Sequence, residues 1–363
     1  LSNIKRILHV IGGMDRGGAE TLIMNIYRNI DRTKVQFDFA VHTNKRCHYD
    51  DEIESLGGKI YPIPRFRIYN ILDYKIARNK LLSKGNWQII HGHLDSTASI
   101  YLKIAKNYGL ITIAHSHSTS SGTGLKKIIV DYLHRDIVKY SDYNLACSTE
   151  SGEWLFGTKS IFSIIYNGIE MRKFIFDESI RNEVRNELNL SNKFVIGHVA
   201  NYTYPKNHKF IIELFKIIAE KYSDAMLVLV GKGVKENLYE SIRGTLIENK
   251  ITFLGVRNDI NRVLQAFDVF ILPSLYEGLP VSLVEAQASG LQCVASDRIT
   301  KEVKYTENLE FISIDDNDSL EKWSNKIFSL KNSKHKNLYG ELVNSEFNIK
   351  KVAKSIQNFY LNL

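Results

Sequence analysis

The sequence predicts an α/β protein built from two doubly wound domains of parallel sheet. Three observations carry that prediction. Short apolar runs of strand type alternate with amphipathic helical stretches along the whole chain. The alternating series runs twice, with a charged connector between the two passes. The length, 363 residues, is enough for two separate cores. In the first pass the strand candidates are 6–11, 36–42, 58–61, 88–91, 110–115 and 143–147. In the second they are 194–199, 225–230, 251–254, 269–272, 292–295 and 309–312. Helical patterns lie between most of them, for example over 18–29 and 209–221. The first pass ends on a strand and turn at 164–169 (IIYNGI), and a new strand begins at Phe194. This gives domains over 1–170 and 171–347, with an amphipathic segment at 348–363 crossing back onto the first. Ligands of doubly wound sheets gather at the carboxyl ends of the strands. Two such domains face to face would place the site in an interdomain cleft.

Lys5 and Arg6 precede an apolar run that is too short for a signal peptide and leads into a glycine turn, so it reads as the first strand. No apolar run is long enough to span a membrane. Cys47, Cys147 and Cys293 are far apart and read as reduced cytosolic thiols. No His/Cys cluster has ligand spacing, and no metal is implied. The net charge is +8. Residues 1–170 hold 22 Lys/Arg against 16 Asp/Glu, so most of the surplus lies in the first half. That fits an anionic membrane surface, or simply a solvated face, and the charge alone favours the second. There is neither a basic stripe nor an aromatic-basic signature, which argues against nucleic acid.

The densest chemistry lies at 272–288, LPSLYEGLPVSLVEAQA. A buried-type strand runs into a Pro-Ser turn, a Glu-Gly loop and an apolar helix. Gly278 lets backbone approach a ligand, and Pro280 suits a first helical position. The N–H groups of Gly278, Leu279 and the first turn then form an anion site. Glu277 and Glu285 flank the junction, and a carboxylate can accept from both hydroxyls of a diol. Such a space suits a sugar nucleotide. In the first half, Gly17 and Gly18 open a helix and can cradle a phosphate or a sugar. Glu20 and Thr21 belong to that helix start. The spacing is not that of a dinucleotide fingerprint, which counts against a dehydrogenase.

His115 ends an apolar strand, and His117, two residues on, faces the same side if the strand continues. His9, His42, His91 and His93 read as structural histidines. Asp95 follows a strand and is a candidate for meeting an acceptor. Two basic apolar stretches are further candidates for the acceptor side. One is 65–72 (RFRIYNIL). The other is 124–140, with Lys126, Lys127, Arg135 and Lys139.

These motifs together resemble the retaining glycosyltransferases of family 4, which have the GT-B fold. The resemblance spans almost the full length. It rests on GGAET after the first strand, ITIAHSHST, YNGIE, PKNH, LGVRNDI and EGLPVSLVEA, in that order and each at a strand-to-helix junction. The bacterial enzymes of capsular and exopolysaccharide assembly are the most similar in kind. The resemblance implies transfer of a sugar from a nucleotide diphosphate sugar, UDP-linked, to a glycan or lipid-linked hydroxyl with retention of configuration. It implies no metal and no cofactor beyond that donor substrate. It assigns Glu277 to the donor sugar's hydroxyls, Glu285 to the ribose, Lys206 to the diphosphate, and the backbone around Val256 to the base. It sets His115 beside the sugar's C6 hydroxyl, with the choice between His115 and His117 open. Lys206 would neutralise charge on the leaving diphosphate. Many relatives carry arginine where this chain has Asn201, and Arg257 is a candidate substitute. The implied setting is cytoplasmic, at the inner face of the membrane. Two rivals stay open: a GT-B sugar-nucleotide epimerase, and a non-catalytic partner subunit that keeps the fold.

Overall fold

The computed structural model describes residues 4–119 and 134–363. Contacts divide the chain into two compact units. Residues 1–169 with 346–363 make the first, and residues 170–345 the second.

Seven strands form the first unit's sheet: β1 (Lys5–Ile11), β2 (Val35–Val41), β3 (Ile60–Pro62), β4 (Ile89–Gly92), β5 (Ile111–Ser116), β6 (Tyr143–Ala146) and β7 (Ser163–Ile164). All pairings are parallel, in the order β3-β2-β1-β4-β5-β6-β7. A parallel sheet needs cover on both faces, which is why its strands read as continuous apolar runs. Side chains alternate between the faces. Ile7 and Ile11 join Phe37, Phe39 and Val41 in one core cluster, while Leu8 and Val10 join Ala40, Ile90 and Tyr101 in another. The helices Gly18–Asn29 and Ile349–Asn362 pack together on the first of these faces. Ile349, Val352, Ala353, Ile356 and Tyr360 are part of that core, so the returning segment is an integral piece of unit 1. An isolated parallel bridge, Ile169 to Asn348, ties its start to the first pass.

Unit 2 repeats the plan with β8 (Phe194–Val199), β9 (Ala225–Val230), β10 (Ile251–Gly255), β11 (Val269–Leu272), β12 (Gln292–Ser296) and β13 (Leu309–Ile312), in the order β10-β9-β8-β11-β12-β13. The helices His208–Lys221 and Ser319–Ser329 cover one face, with Phe210 edge-on to the buried Trp323. In both sheets the order reverses beside the first strand, at β1/β4 and β8/β11, where ligand crevices open in this architecture. The two α/β sheets agree with the fold class read from the sequence. β7 is shorter and earlier than the strand read at 164–169.

Candidate active site

Four loops meet at the carboxyl edge of unit 2's sheet, after β8, β9, β10 and β11. Main-chain hydrogen bonds knit them together. Tyr202 N donates to Lys232 O (2.9 Å), Gly231 N to Gly255 O (2.8 Å) and Leu275 N to Pro205 O (2.8 Å). Gly231 has φ +150°, and a Cβ there would lie 2.0 Å from Ala200 O, so the β8 and β9 loops approach this closely only with glycine. Asn207 takes the left-handed conformation (φ 53°) and donates its side-chain amide to Pro273 O (3.1 Å).

This knitting brings Lys206 against Glu277, which lies 71 residues further along the chain. Lys206 Nζ is 2.5 Å from Glu277 Oε1, and Ser274 Oγ donates to the same oxygen at 2.8 Å. Both charged side chains are mostly buried, 22% and 12% exposed. The side chains that the resemblance assigns to a diphosphate and to a sugar hydroxyl thus form one ion pair, which a reading of separate motifs does not show.

The helix Val281–Ala288 begins one residue later than the sequence reading placed it. Pro280 is its N-cap in extended conformation rather than its first helical residue. The cap has no side-chain hydrogen bond, and Gly278 and Leu279 lead into it buried. Glu285 is the helix's fifth residue. Burial raises its carboxyl from the usual carboxylate range to about 8. The sequence reading assumed an ionised carboxylate facing a diol; here the group is mostly protonated at neutral pH.

Asn201 and Arg257 behave differently from the arginine they were weighed against. Asn201 Oδ1 accepts from Lys232 N (2.9 Å), so its side chain braces the β9 loop. Arg257 is held by Asp259, at 2.8 and 2.7 Å, and by Glu187, at 3.3 Å. Those carboxylates are the partners an incoming phosphate would have to compete with at Arg257. Val256 lies on the exposed turn after β10.

In unit 1, Gly17 caps the helix Gly18–Asn29. A Cβ at Gly17 would meet Glu20 Oε2 at 2.2 Å, so the Glu20 carboxylate folds back over this helix start. Burial raises the Glu20 carboxyl, against the opposing effect of a backbone hydrogen bond. Asp95 begins a short turn after β4, and burial raises it to about 7.

His115 and His117 are not alone. His9 stands in register with His91 on the neighbouring strand, and the spacing of two carries His93 and His117 onto the same face. Five buried or nearly buried imidazoles form two hydrogen-bonded rows. In one, His9 Nδ1 meets His93 Nε2 (2.9 Å), and His93 Nδ1 meets His117 Nε2 (2.8 Å). In the other, the Tyr360 hydroxyl meets His91 Nδ1 (2.5 Å), and His91 Nε2 meets His115 Nδ1 (3.2 Å). Three ring nitrogens remain without a partner among the described residues: His9 Nε2, His115 Nε2 and His117 Nδ1. Burial keeps all five neutral, pushing His9 down to about 3, His117 to about 4 and the others well below the usual value. His9, His91 and His93, each read separately from the sequence as structural, are thus joined with His115 and His117 in one cluster. His42 does fit that class, bonded to Tyr74 and Arg78. The HGH and HSH spacings hinted at the cluster; the register with His9 did not.

Among the described residues, His9/His91/His93 and His93/His115/His117 are two groups whose ring nitrogens lie close enough together to hold a metal ion. Neutral imidazole is the ligating form. In the structure, however, these rings are bonded to one another in pairs.

Arg65, Arg67 and the helix Ile71–Leu82 carry the first basic stretch at the surface. In the second stretch Lys126 and Lys127 lie outside the described residues, while Arg135 and Lys139 are exposed. No helix of the described residues is long and apolar enough to cross a membrane.

Comparison with known proteins agrees with this picture. The family model described as glycosyltransferase family 4 matches residues 16–173, and that of group 1 glycosyl transferases matches residues 180–344. The putative glycosyltransferase EpsF of Bacillus subtilis is 37% identical over 313 residues, 83% of this chain and 82% of that protein. The UDP-Gal:alpha-D-GlcNAc-diphosphoundecaprenol alpha-1,3-galactosyltransferase of Escherichia coli is 28% identical over 309 residues, 79% of each. Among solved structures, Anabaena Alr3699/HepE in complex with UDP-glucose aligns with TM-score 0.79 over 99% of this chain and 100% of that one. At 17% identity this likeness concerns the fold.

Proposed function

The chain belongs to the family 4 glycosyltransferases, and from that premise we propose that it moves a sugar from a UDP-sugar to a lipid-linked glycan acceptor, with retention of configuration and without a metal. The acceptor hydroxyl attacks C1 on the face the diphosphate leaves. The new C1–O bond forms as the old one breaks, and the leaving phosphate oxygen takes the hydroxyl proton, so no protein base is needed. The observation that carries this reading is the Lys206–Glu277 pair at the carboxyl edge of unit 2's sheet. It holds a cation for the diphosphate beside a carboxylate for the sugar. Glu285 would take the ribose, the Gly278–Leu279 backbone the phosphates, and the turn at Val256 the base. His115, in unit 1, would take the sugar's C6 hydroxyl. The UDP-Gal donor and diphosphoundecaprenol acceptor in the Escherichia coli relative's name support the substrate classes. EpsF and the capsular polysaccharide biosynthesis glycosyltransferase CapH of Staphylococcus aureus (24% identical over 312 residues) support a role in surface polysaccharide synthesis.

The reading includes a peripheral contact with an anionic membrane. Tyr69, Leu72 and Ile76 recur at helical spacing and are 78%, 70% and 64% exposed. Arg65, Arg67, Lys75 and Lys80 are exposed in the same stretch, with Asp73 its one acid. An apolar stripe with a basic rim fits the headgroup region of an anionic bilayer. The enzyme is tested by incubation with UDP-sugars and a polyprenyl-diphosphate-linked sugar. A retained-anomer glycoside is expected. An epimerised UDP-sugar formed without acceptor would sink the reading.

A further inference from the structure

We infer that His93, His115 and His117 form a binding site for a first-row transition ion such as zinc, and that an ion held there withdraws His115 from the donor sugar. The ion site stands on unit 1 alone. Only the inhibition rests on the proposed transfer, in which His115 takes the sugar's C6 hydroxyl.

The donor set selects the ion. One nitrogen from each of the three rings lies within 4.8 Å of the other two. Imidazole nitrogen suits zinc, cobalt, nickel and copper, whereas magnesium and calcium take oxygen ligands. Zinc bonds imidazole at about 2.0–2.1 Å, so two nitrogens on a tetrahedral ion stand about 3.3 Å apart. His93 Nδ1 and His117 Nε2 already face each other at 2.8 Å. The group is close to the required size before an ion enters, and turning the rings supplies the remainder. Each neutral ring binds through one nitrogen and keeps its proton on the other, so no proton has to leave. Three protein ligands leave a fourth position on the ion for water.

Hydrogen bonding and access decide between this group and its neighbour, His9/His91/His93. A neutral imidazole has one in-plane lone pair to give, so His93 serves one group at a time. His115 Nε2 is buried and has no partner among the described residues. A buried polar atom of that kind calls for a ligand, and an ion provides one. With that nitrogen and the facing nitrogens of His93 and His117 as ligands, the single His93–His117 hydrogen bond is given up. In the other group His91 is bonded on both sides, to Tyr360 and to His115. Ligation there by His91 and by the facing nitrogens of His9 and His93 gives up two bonds. His117 is also only half-buried, whereas His9 and His91 are each 2% exposed, so an ion reaches the chosen group more directly.

The full chain, stripped with a chelator and titrated with cobalt, tests the site. It should take up a single ion with the strong visible absorption of four-coordinate cobalt, and zinc should displace it. His117→Gln and His115→Gln should each weaken binding about 100-fold or more. His48→Gln, at an exposed histidine outside the group, should leave it unaltered. Zinc at about ten times its Kd should raise the KM for the UDP-sugar about tenfold and leave kcat alone. The inference is overturned if the unchanged protein binds no cobalt, or if folded His117→Gln and His115→Gln bind it as well as the unchanged protein does. Should neither variant fold, zinc-edge X-ray absorption of the unchanged protein decides, and fewer than three imidazole ligands would overturn the site. Zinc bound with KM unaltered would overturn the inhibition. An absence of transfer by the zinc-free protein would strike the proposed reaction, while the cobalt spectrum still reads the site.

Discussion

Glu277→Gln separates two consequences of the Lys206–Glu277 pair that ordinarily go together. The substitution keeps a hydrogen-bond acceptor of nearly the same shape but removes the counter-charge at 2.5 Å. A hydrogen bond to a charged, buried group contributes about 1.5–3 kcal/mol. With the two side chains still 22% and 12% exposed, solvent screening discounts that range to about 1–2 kcal/mol. For a unit of this size each kcal/mol shifts the melting temperature by about 2–4 °C, so a fall of about 2–8 °C is expected by differential scanning fluorimetry. Binding should move the other way. An incoming diphosphate must compete with Glu277 for Lys206, and E277Q removes the competitor. UDP should therefore bind about 5–30-fold tighter by calorimetry, the same 1–2 kcal/mol read as affinity. Transfer should fall by about 10–100-fold, because the sugar hydroxyl loses its charged acceptor. Lys206→Ala should lower both UDP affinity and transfer. If E277Q loses UDP affinity while Lys206→Ala does not, the assignment of Lys206 to the phosphates is wrong.

Other outcomes follow from the same geometry. Glu285 has a folded-state pKa of about 8 against 4.5 for an ordinary glutamate, so the folded state holds a proton that the unfolded chain releases between those values. Its contribution to stability therefore declines as pH rises from about 4.5 to 8. The buried His198 and His208, whose pKa values are lowered, act in the opposite sense and cost stability as pH falls below about 6.5. Melting curves of the unchanged protein and Glu285→Gln at pH 5.5, 6.5 and 7.5 isolate the glutamate: the gap in melting temperature should change steadily in the variant's favour towards pH 7.5, and a constant gap would refute the shift. Leu72→Glu with Ile76→Glu should reduce co-sedimentation with phosphatidylglycerol vesicles about tenfold or more, with little binding to neutral vesicles by either protein. Equal binding of both proteins to anionic vesicles would remove this face from the membrane contact. Transfer should survive dialysis against EDTA; activity lost to the chelator and restored by a divalent ion would show that a metal takes part.

The strands were legible because parallel sheets bury both faces, which leaves unbroken apolar runs such as VFIL and AMLVLV. The helix 18–29 was legible from its spacing and its glycine start. What could not be read was anything decided by register between distant strands. His9 and His91 are neighbours only because β1 pairs with β4, and Tyr360 reaches them only because the returning helix docks on that face. Lys206 and Glu277 were each identified, yet their union depends on the loop knitting at Pro205 and Pro273. Arg257 is a different case. Asp259, two residues on, was visible in the sequence as a competing partner, and local geometry gave it the guanidinium.

The return of residues 346–363 to unit 1 has a consequence for biogenesis. The helix Ile349–Asn362 leaves the ribosome only after all of unit 2 has been made. Unit 2 can close its core while still tethered, but unit 1 must wait with the apolar face around Phe37 and Phe39 uncovered until Ile349, Val352, Ile356 and Tyr360 arrive. Numerically first, unit 1 is second to mature. Tyr360 also contacts His91, so the same docking event that seals the core brings its hydroxyl to the histidine cluster. A nascent chain halted before residue 346 would hold a complete unit 2 and a sticky, chemically undefined unit 1, a natural target for chaperones and proteases.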